Sequence, residues 1–233
     1  LQKNGGQKNE RDHLSSYPHS LKEKLPHTWD ALFARFGRFT EIQAQAIEPL
    51  LEGKNCILVS ATASGKTEAA LAPLLERHKQ SPQAGLSILY LVPTRALARD
   101  LARRLAQPLE QLAVRMQVKT GDEPALNAAR PPELLITTPE SFDSLLVGRP
   151  RMAKDVRAVI LDEIHLLDNS VRGDQLRILL NRLRRIKSYA LARGETGSDA
   201  LQFCALSATV RDPAQVAARY FADPVVAQVA GQR

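Results

Sequence analysis

Cysteine is almost absent from this chain of 233 residues: Cys56 and Cys204 are its two thiols, and each lies in an apolar run, CILVS and FCALS. A thiol in such a run is read as a small buried hydrophobe rather than as part of a disulfide or a metal site. No stretch of about 18 uninterrupted apolar residues occurs, and the amino terminus has no apolar segment ahead of a cleavage site. This argues against a membrane-spanning helix and a secretory leader, and the expected location is cytoplasmic, with no membrane partner. No internal repeat is visible. Residues 1–20 open with LQKNGGQKNERDHLSS, which lacks periodicity, so a flexible tail is expected there.

What remains is an ordinary globular composition, 44% hydrophobic and 24% charged, with length enough for one large domain and a sizeable core. Lys and Arg number 32 against 25 Asp and Glu, a net charge of +7. That balance favours a polyanionic partner but does not establish one.

From residue 21 the pattern becomes helical. Trp29, Leu32, Phe33 and Phe36 recur at helical spacing, and Thr40 precedes a second run through Ile42, Ala46 and Leu50. Short apolar runs then alternate with helical or loop-like segments: CILVS, SILYLV, VRMQV, LLIT, AVILD and FCALS. Such alternation predicts an α/β fold, a mostly parallel sheet with helices on both faces. The longest helical pattern runs from about Gly173 to Ala192, with Leu176, Leu179, Leu180, Leu183 and Ile186 on one stripe. Its arginines, Arg177, Arg182, Arg184 and Arg185, suit a solvated face or a binding surface.

SATASGKT, Ser60 to Thr67, follows a predicted strand and opens a helix. In that context backbone amides and a helix N-terminus face an anion, and Gly65 allows close approach. Lys66 would reach the β- and γ-phosphates of a nucleotide and the Thr67 hydroxyl would ligate Mg²⁺. The loop is poor in glycine: Ser60 stands at the first glycine of the general pattern, and Ala63 where another is common. Because alanine takes positive φ reluctantly, Ala63 is expected in an ordinary backbone region.

A second constellation closes the run AVILDEIH, where Asp162, Glu163 and His165 follow four apolar residues. Carboxylates at the end of a buried strand are costly without a cation. Ligands of open α/β sheets bind at the carboxyl ends of strands, so Asp162 can meet the Mg²⁺ held by Thr67, and Glu163 can polarise an attacking water.

Together with SAT at Ser207, Ala208 and Thr209, these segments resemble motifs I, II and III of superfamily 2 helicases. FTEIQAQAI from Phe39 is similar to their Q motif, PTRALARDL from Pro93 to motif Ia, and TGD from Thr120 and TTPES from Thr137 to motif Ib and its neighbour. The resemblance covers about residues 25 to 225 and leans toward the Lhr-type DExH branch. It implies a RecA-like P-loop domain over residues 21–230 that binds ATP and Mg²⁺ and contacts a DNA or RNA single strand. By the same resemblance, Gln43 reads adenine and Ala63, Ser64, Gly65, Lys66 and Thr67 cradle the phosphates. Thr67 and Asp162 hold the metal, Lys66, Asp162, Glu163 and His165 serve hydrolysis, and Ser207 and Thr209 couple it to strand movement. Phe39 stands where a proline is common, and Trp29, Phe33 and Phe36 are either core or the source of an adenine-stacking ring.

Thr94, Arg95, Thr120, Gly121, Thr138 and Pro139 border the nucleic-acid groove by resemblance. Hydroxyls, amides near helix starts and an arginine bind phosphates without reading bases. Thr94 and Thr138 also stand in ordinary N-cap contexts. Such helicases use arginine fingers from a second RecA-like domain, for which the residues after Thr209 are too few, so that domain is expected to be absent here. The rival reading is a nucleotide-gated nucleic-acid-binding module without turnover, against which the intact Asp162–Glu163 pair argues.

Overall fold

The computed structural model of the chain describes residues 21–121, 126, 130–208 and 210–229. The expected tail, residues 1–20, lies outside them, as does Thr209.

Seven strands form one sheet: β1 (Cys56–Val59), β2 (Ile88–Leu91), β3 (Met116–Lys119), β4 (Leu134–Thr137), β5 (Ala158–Leu161), β6 (Gln202–Ser207) and β7 (Val225–Gln228). Their spatial order is β3-β4-β2-β5-β6-β1-β7, and every pairing is parallel. The helices are α1 (Trp29–Leu32), α2 (Glu41–Leu51), α3 (Lys66–Gln80), α4 (Arg95–Gln111), α5 (Pro139–Gly148), α6 (Val171–Ala192) and α7 (Pro213–Ala218). Parallel strands need crossovers, and helical crossovers cover both faces, so the inner strands are largely apolar. Residues of β1, β2, β4 and β5 are buried throughout.

Alternation along each strand divides the core in two. Leu58, Tyr90, Ile136, Ile160 and Leu206 face α1 to α4, whereas Val59, Leu91, Leu135, Leu161 and Ala205 face α5 to α7. The leucine stripe of α6 is buried in the second layer. One of its arginines is partly packed inward: Arg184 donates to the Tyr220 carbonyl at 2.8 Å and lies 4.8 Å from the Phe203 ring centroid. No helix among the described residues is long and apolar enough to cross a membrane.

The two-helix lead-in is held by aromatic packing and one carboxylate. Phe39 fills the corner where a proline is common, its ring 5.0 Å from Trp29 and 4.9 Å from Phe33 between centroids, edge-on to both. Glu76, on α3, is fully buried. It accepts from the amides of His27 and Thr28 and from the Thr28 hydroxyl, each at 3.0 Å. It also meets His27 Nδ1 at 2.5 Å. Glu76→Ala would strand those donors, so we expect a loss of about 3 kcal/mol and a fall in Tm of about 6–12 °C in thermal denaturation. A fall of less than about 2 °C would show that the lead-in is held by its aromatic rings alone.

Candidate functional site

Because all strands run one way, their carboxyl ends share one edge, and the motif residues lie along it. In sheet order, β3, β4 and β2 end in Thr120–Gly121, Thr138–Pro139 and Pro93–Arg95, while β5, β6 and β1 end in Asp162–His165, Ser207 and the loop Ser60–Gly65. Two neighbouring groups of strands thus carry two neighbouring sets of residues.

The loop after β1 turns on Gly65, which has φ +89° and caps α3. A Cβ there would come within 2.3 Å of the Gln43 amide nitrogen, so glycine is needed for both conformation and space. Gln43 is buried, accepting from the Thr40 amide at 2.8 Å and donating to the Gly65 carbonyl at 3.3 Å. Thr40 donates to the Ser64 carbonyl at 2.9 Å, and the Ser60 and Ser64 hydroxyls meet at 2.6 Å. Serine in place of glycine therefore pins the loop across its base. Ala63 departs from its expected ordinary backbone: its φ is +60°. The tight turn into Gly65 imposes a left-handed residue, a strain of about 1–2 kcal/mol for alanine.

Lys66 is buried, and its Nζ donates to the carbonyls of Ser60 and Ala61 at 2.7 and 2.8 Å. Burial lowers its pKa, opposed by the charges of Glu163 and Asp162. Asp162 is held by three bonds. Its amide donates to the Leu91 carbonyl at 2.8 Å, Oδ1 accepts the Glu163 amide at 2.9 Å, and Oδ2 accepts the Tyr90 hydroxyl at 3.0 Å. Desolvation, then repulsion from Glu163, pushes its pKa up to about 6.

Glu163 takes the left-handed conformation, φ +46°. Its Oε2 is buried without a hydrogen-bond partner, though it lies 3.3 Å from His165 Nδ1. That nitrogen accepts the Ala208 amide at 3.3 Å and meets the Ser207 hydroxyl at 3.4 Å. Two acceptors therefore face each other, and the Glu163 oxygen retains its capacity to take a proton.

On the other half of the edge, Thr94 and Thr138 cap α4 and α5 by accepting from the amides of Leu97 and Ser141. Thr94, Arg95 and Gly121 are exposed, and a Cβ on Gly121 would lie 2.4 Å from the Arg95 guanidinium. Thr120, Thr138 and Pro139 are buried, so they shape this edge without presenting side chains to it.

Between the loop and the carboxylates lies a cleft of about 710 Å³, reached also by Phe36, Arg38 and Thr40. A concavity of about 800 Å³ runs along α6 beside Ile178, Arg185 and Tyr189. It has neither the glycine turn nor the carboxylate pair, so the chemistry belongs to the cleft.

Residues 40–216 match the family model described as DEAD/DEAH box helicase. The chain belongs to the DEAD/DEAH box helicase family. Within it, the chain is 34% identical over 202 residues to "Lhr helicase/ probable uracil glycosylase" of Mycolicibacterium smegmatis, covering 78% of this chain and 13% of that protein. It is likewise 34% identical to "ATP-dependent helicase Lhr-Core" of Methanothermobacter thermautotrophicus, covering 77% and 23%. The chain thus spans less than a quarter of the length of either relative. In structure it resembles Mycobacterium smegmatis helicase Lhr bound to ssDNA and AMP-PNP, with TM-score 0.75, 30% identity and coverage of 89% of this chain and 28% of that one. It shares the fold of Mss116p bound to ssRNA and AMP-PNP at TM-score 0.76 and 20% identity, covering 92% and 46%. The seven-stranded parallel sheet is that of a RecA-like helicase ATP-binding domain.

Three residues of this helicase domain escaped the sequence motifs. Phe36 is 53% exposed at the cleft, while Phe33 is buried and Trp29 packs against the core. Only exposure separates these rings, so spacing could not. Arg172 donates to Glu140 at 2.7 Å and to the Pro93 carbonyl at 2.6 Å, tying the starts of α5 and α6 to the PTR segment; nothing in the sequence signals it. Tyr90 did leave a signal, as a hydroxyl in the otherwise apolar strand ILYL.

Ala63→Gly should remove this strain while adding about 0.5–1 kcal/mol of unfolded-state entropy. We expect a net gain in stability of about 0.5–1 kcal/mol in urea denaturation, and a loss would contradict the strain.

Proposed function

We propose that the cleft binds ATP with Mg²⁺ and that, in a longer protein, its hydrolysis drives a helicase or translocase along a DNA or RNA single strand. The observation carrying this reading is the convergence of Lys66, Asp162 and Glu163 at one sheet edge beside the Gly65 turn. The relatives support it: helicases described as ATP-dependent, and structures holding AMP-PNP with ssDNA or ssRNA.

The residues fit the cation. A half-buried carboxylate and a threonine at the start of a helix are hard oxygen donors of the kind Mg²⁺ prefers. Bound there, Mg²⁺ would neutralise charge on the phosphates; Thr67 and Asp162 would hold it. Lys66 would exchange the Ser60 and Ala61 carbonyls for phosphate oxygens. Ala63, Ser64 and Gly65 would offer backbone amides, and Gln43 would read the base with the donor left over from its loop contacts. Phe36 would cover the base. Glu163 would take the proton of the attacking water at its unpartnered oxygen, a group that a module without turnover does not need. His165 and Ser207, with Thr209, would link this chemistry to strand movement. A second RecA-like domain would supply arginine fingers, and without them hydrolysis would be slower by about 10³-fold or more.

Binding of a fluorescent ATP analogue tests the cleft. Lys66→Ala should weaken binding at least about tenfold, and Phe36→Ala by about tenfold through lost stacking. Glu163→Gln should keep binding but lower hydrolysis in a two-domain protein by about 10²–10³-fold. Unchanged binding in Lys66→Ala would sink the reading.

For the nucleic-acid edge, Arg95→Ala should weaken single-strand binding about equally for all sequences and reduce the slope of log affinity against log salt by about one. Loss confined to particular sequences would point to base reading instead.

A further inference from the structure

Tyr90 belongs by strand to β2, whose end carries Pro93, Thr94 and Arg95, but its hydroxyl reaches into the nucleotide half of the edge. The residue is fully buried and pairs with Ile160 of β5, two positions before Asp162. Its Oη donates to Asp162 Oδ2 at 3.0 Å. One phenolic proton therefore restrains the carboxylate assigned to the cation.

Asp162 is restrained at both oxygens, with Oδ1 on the Glu163 amide at 2.9 Å and Oδ2 on Tyr90. A hydroxyl in a strand covered on both faces is costly unless bonded, and phenylalanine would fill nearly the same space without that demand.

We propose that Tyr90 is a positioning residue for the divalent cation, holding the Asp162 carboxylate in the orientation that receives it. The proposal rests on the nucleotide-site reading above. Partners behind metal ligands typically change metal affinity by about 10–100-fold when removed.

The test is binding of a fluorescent, non-hydrolysable ATP analogue to this chain, titrated with Mg²⁺ and repeated in EDTA, with thermal denaturation alongside. Tyr90→Phe and Tyr90→Met are both measured, so that the result does not depend on one variant folding. Expected is an affinity in EDTA within about twofold of the parent chain, with the Mg²⁺ midpoint raised about tenfold or more in both variants. An unmoved Mg²⁺ midpoint in a folded variant overturns the proposal, leaving Tyr90 as packing. So does a parent chain that binds the analogue equally with and without Mg²⁺. A parent chain that binds no analogue in either condition instead overturns the nucleotide-site reading itself.

Discussion

Parallel pairing is the constraint on which this domain depends. Seven strands running one way send all their carboxyl ends to one edge, and helices on both faces leave the strands almost no room for polar chemistry. Polar groups gather where the strands stop. The loop after β1, the acidic pair after β5 and the serine closing β6 lie far apart in sequence and adjacent in space. The strand order also separates Lys66, Asp162 and Glu163 from Thr94, Arg95 and Gly121, without any further division of the chain.

Buried charge is handled in two ways. Lys187 is buried and gives its ammonium to the carbonyls of Lys154 and Ser198 at 3.1 and 3.3 Å. Glu76 gathers four donors from the lead-in. Both are hydrogen-bonded to the protein, as buried structural groups must be. At the edge the balance changes: Asp162 has a raised pKa, Glu163 combines left-handed backbone with an unpartnered oxygen, and Ala63 and Gly65 have positive φ. Backbone strain and unmet bonding capacity thus meet in this cleft, at Ala63 and Glu163.

The sequence reveals what depends on local pattern and hides what depends on exposure. Runs such as CILV and AVIL announce strands because burial on both faces demands apolar residues at each position. β7 was missed because it is short and leaves Val226 and Gln228 exposed, erasing the continuous run. Ala63 was misjudged because intrinsic preference yields to the closure of a tight loop. TGD and TTPES gave positions on an edge but could not say that Thr120 and Thr138 turn inward while Thr94 and Arg95 face out. Tyr90 was absorbed into an apolar run because its ring satisfies the pattern, and its hydroxyl matters only once β2 and β5 are known to be neighbours.

That adjacency also limits how the two halves can communicate. β2 and β5 are in register from Ile88 opposite Ala158 to Leu91 opposite Leu161, and the pairing continues past the strands through the Asp162 amide on the Leu91 carbonyl at 2.8 Å. A close-packed sheet covered on both faces resists changes of register. The halves therefore cannot slide past each other, and a signal between them must travel in groups that can exchange partners without moving the backbone. Lys66, whose ammonium rests on loop carbonyls, and Glu163, with an oxygen still unpartnered, are such groups. The domain is thus a rigid platform with movable side-chain contacts along one edge, and larger motion has to arise between this platform and whatever else meets that edge.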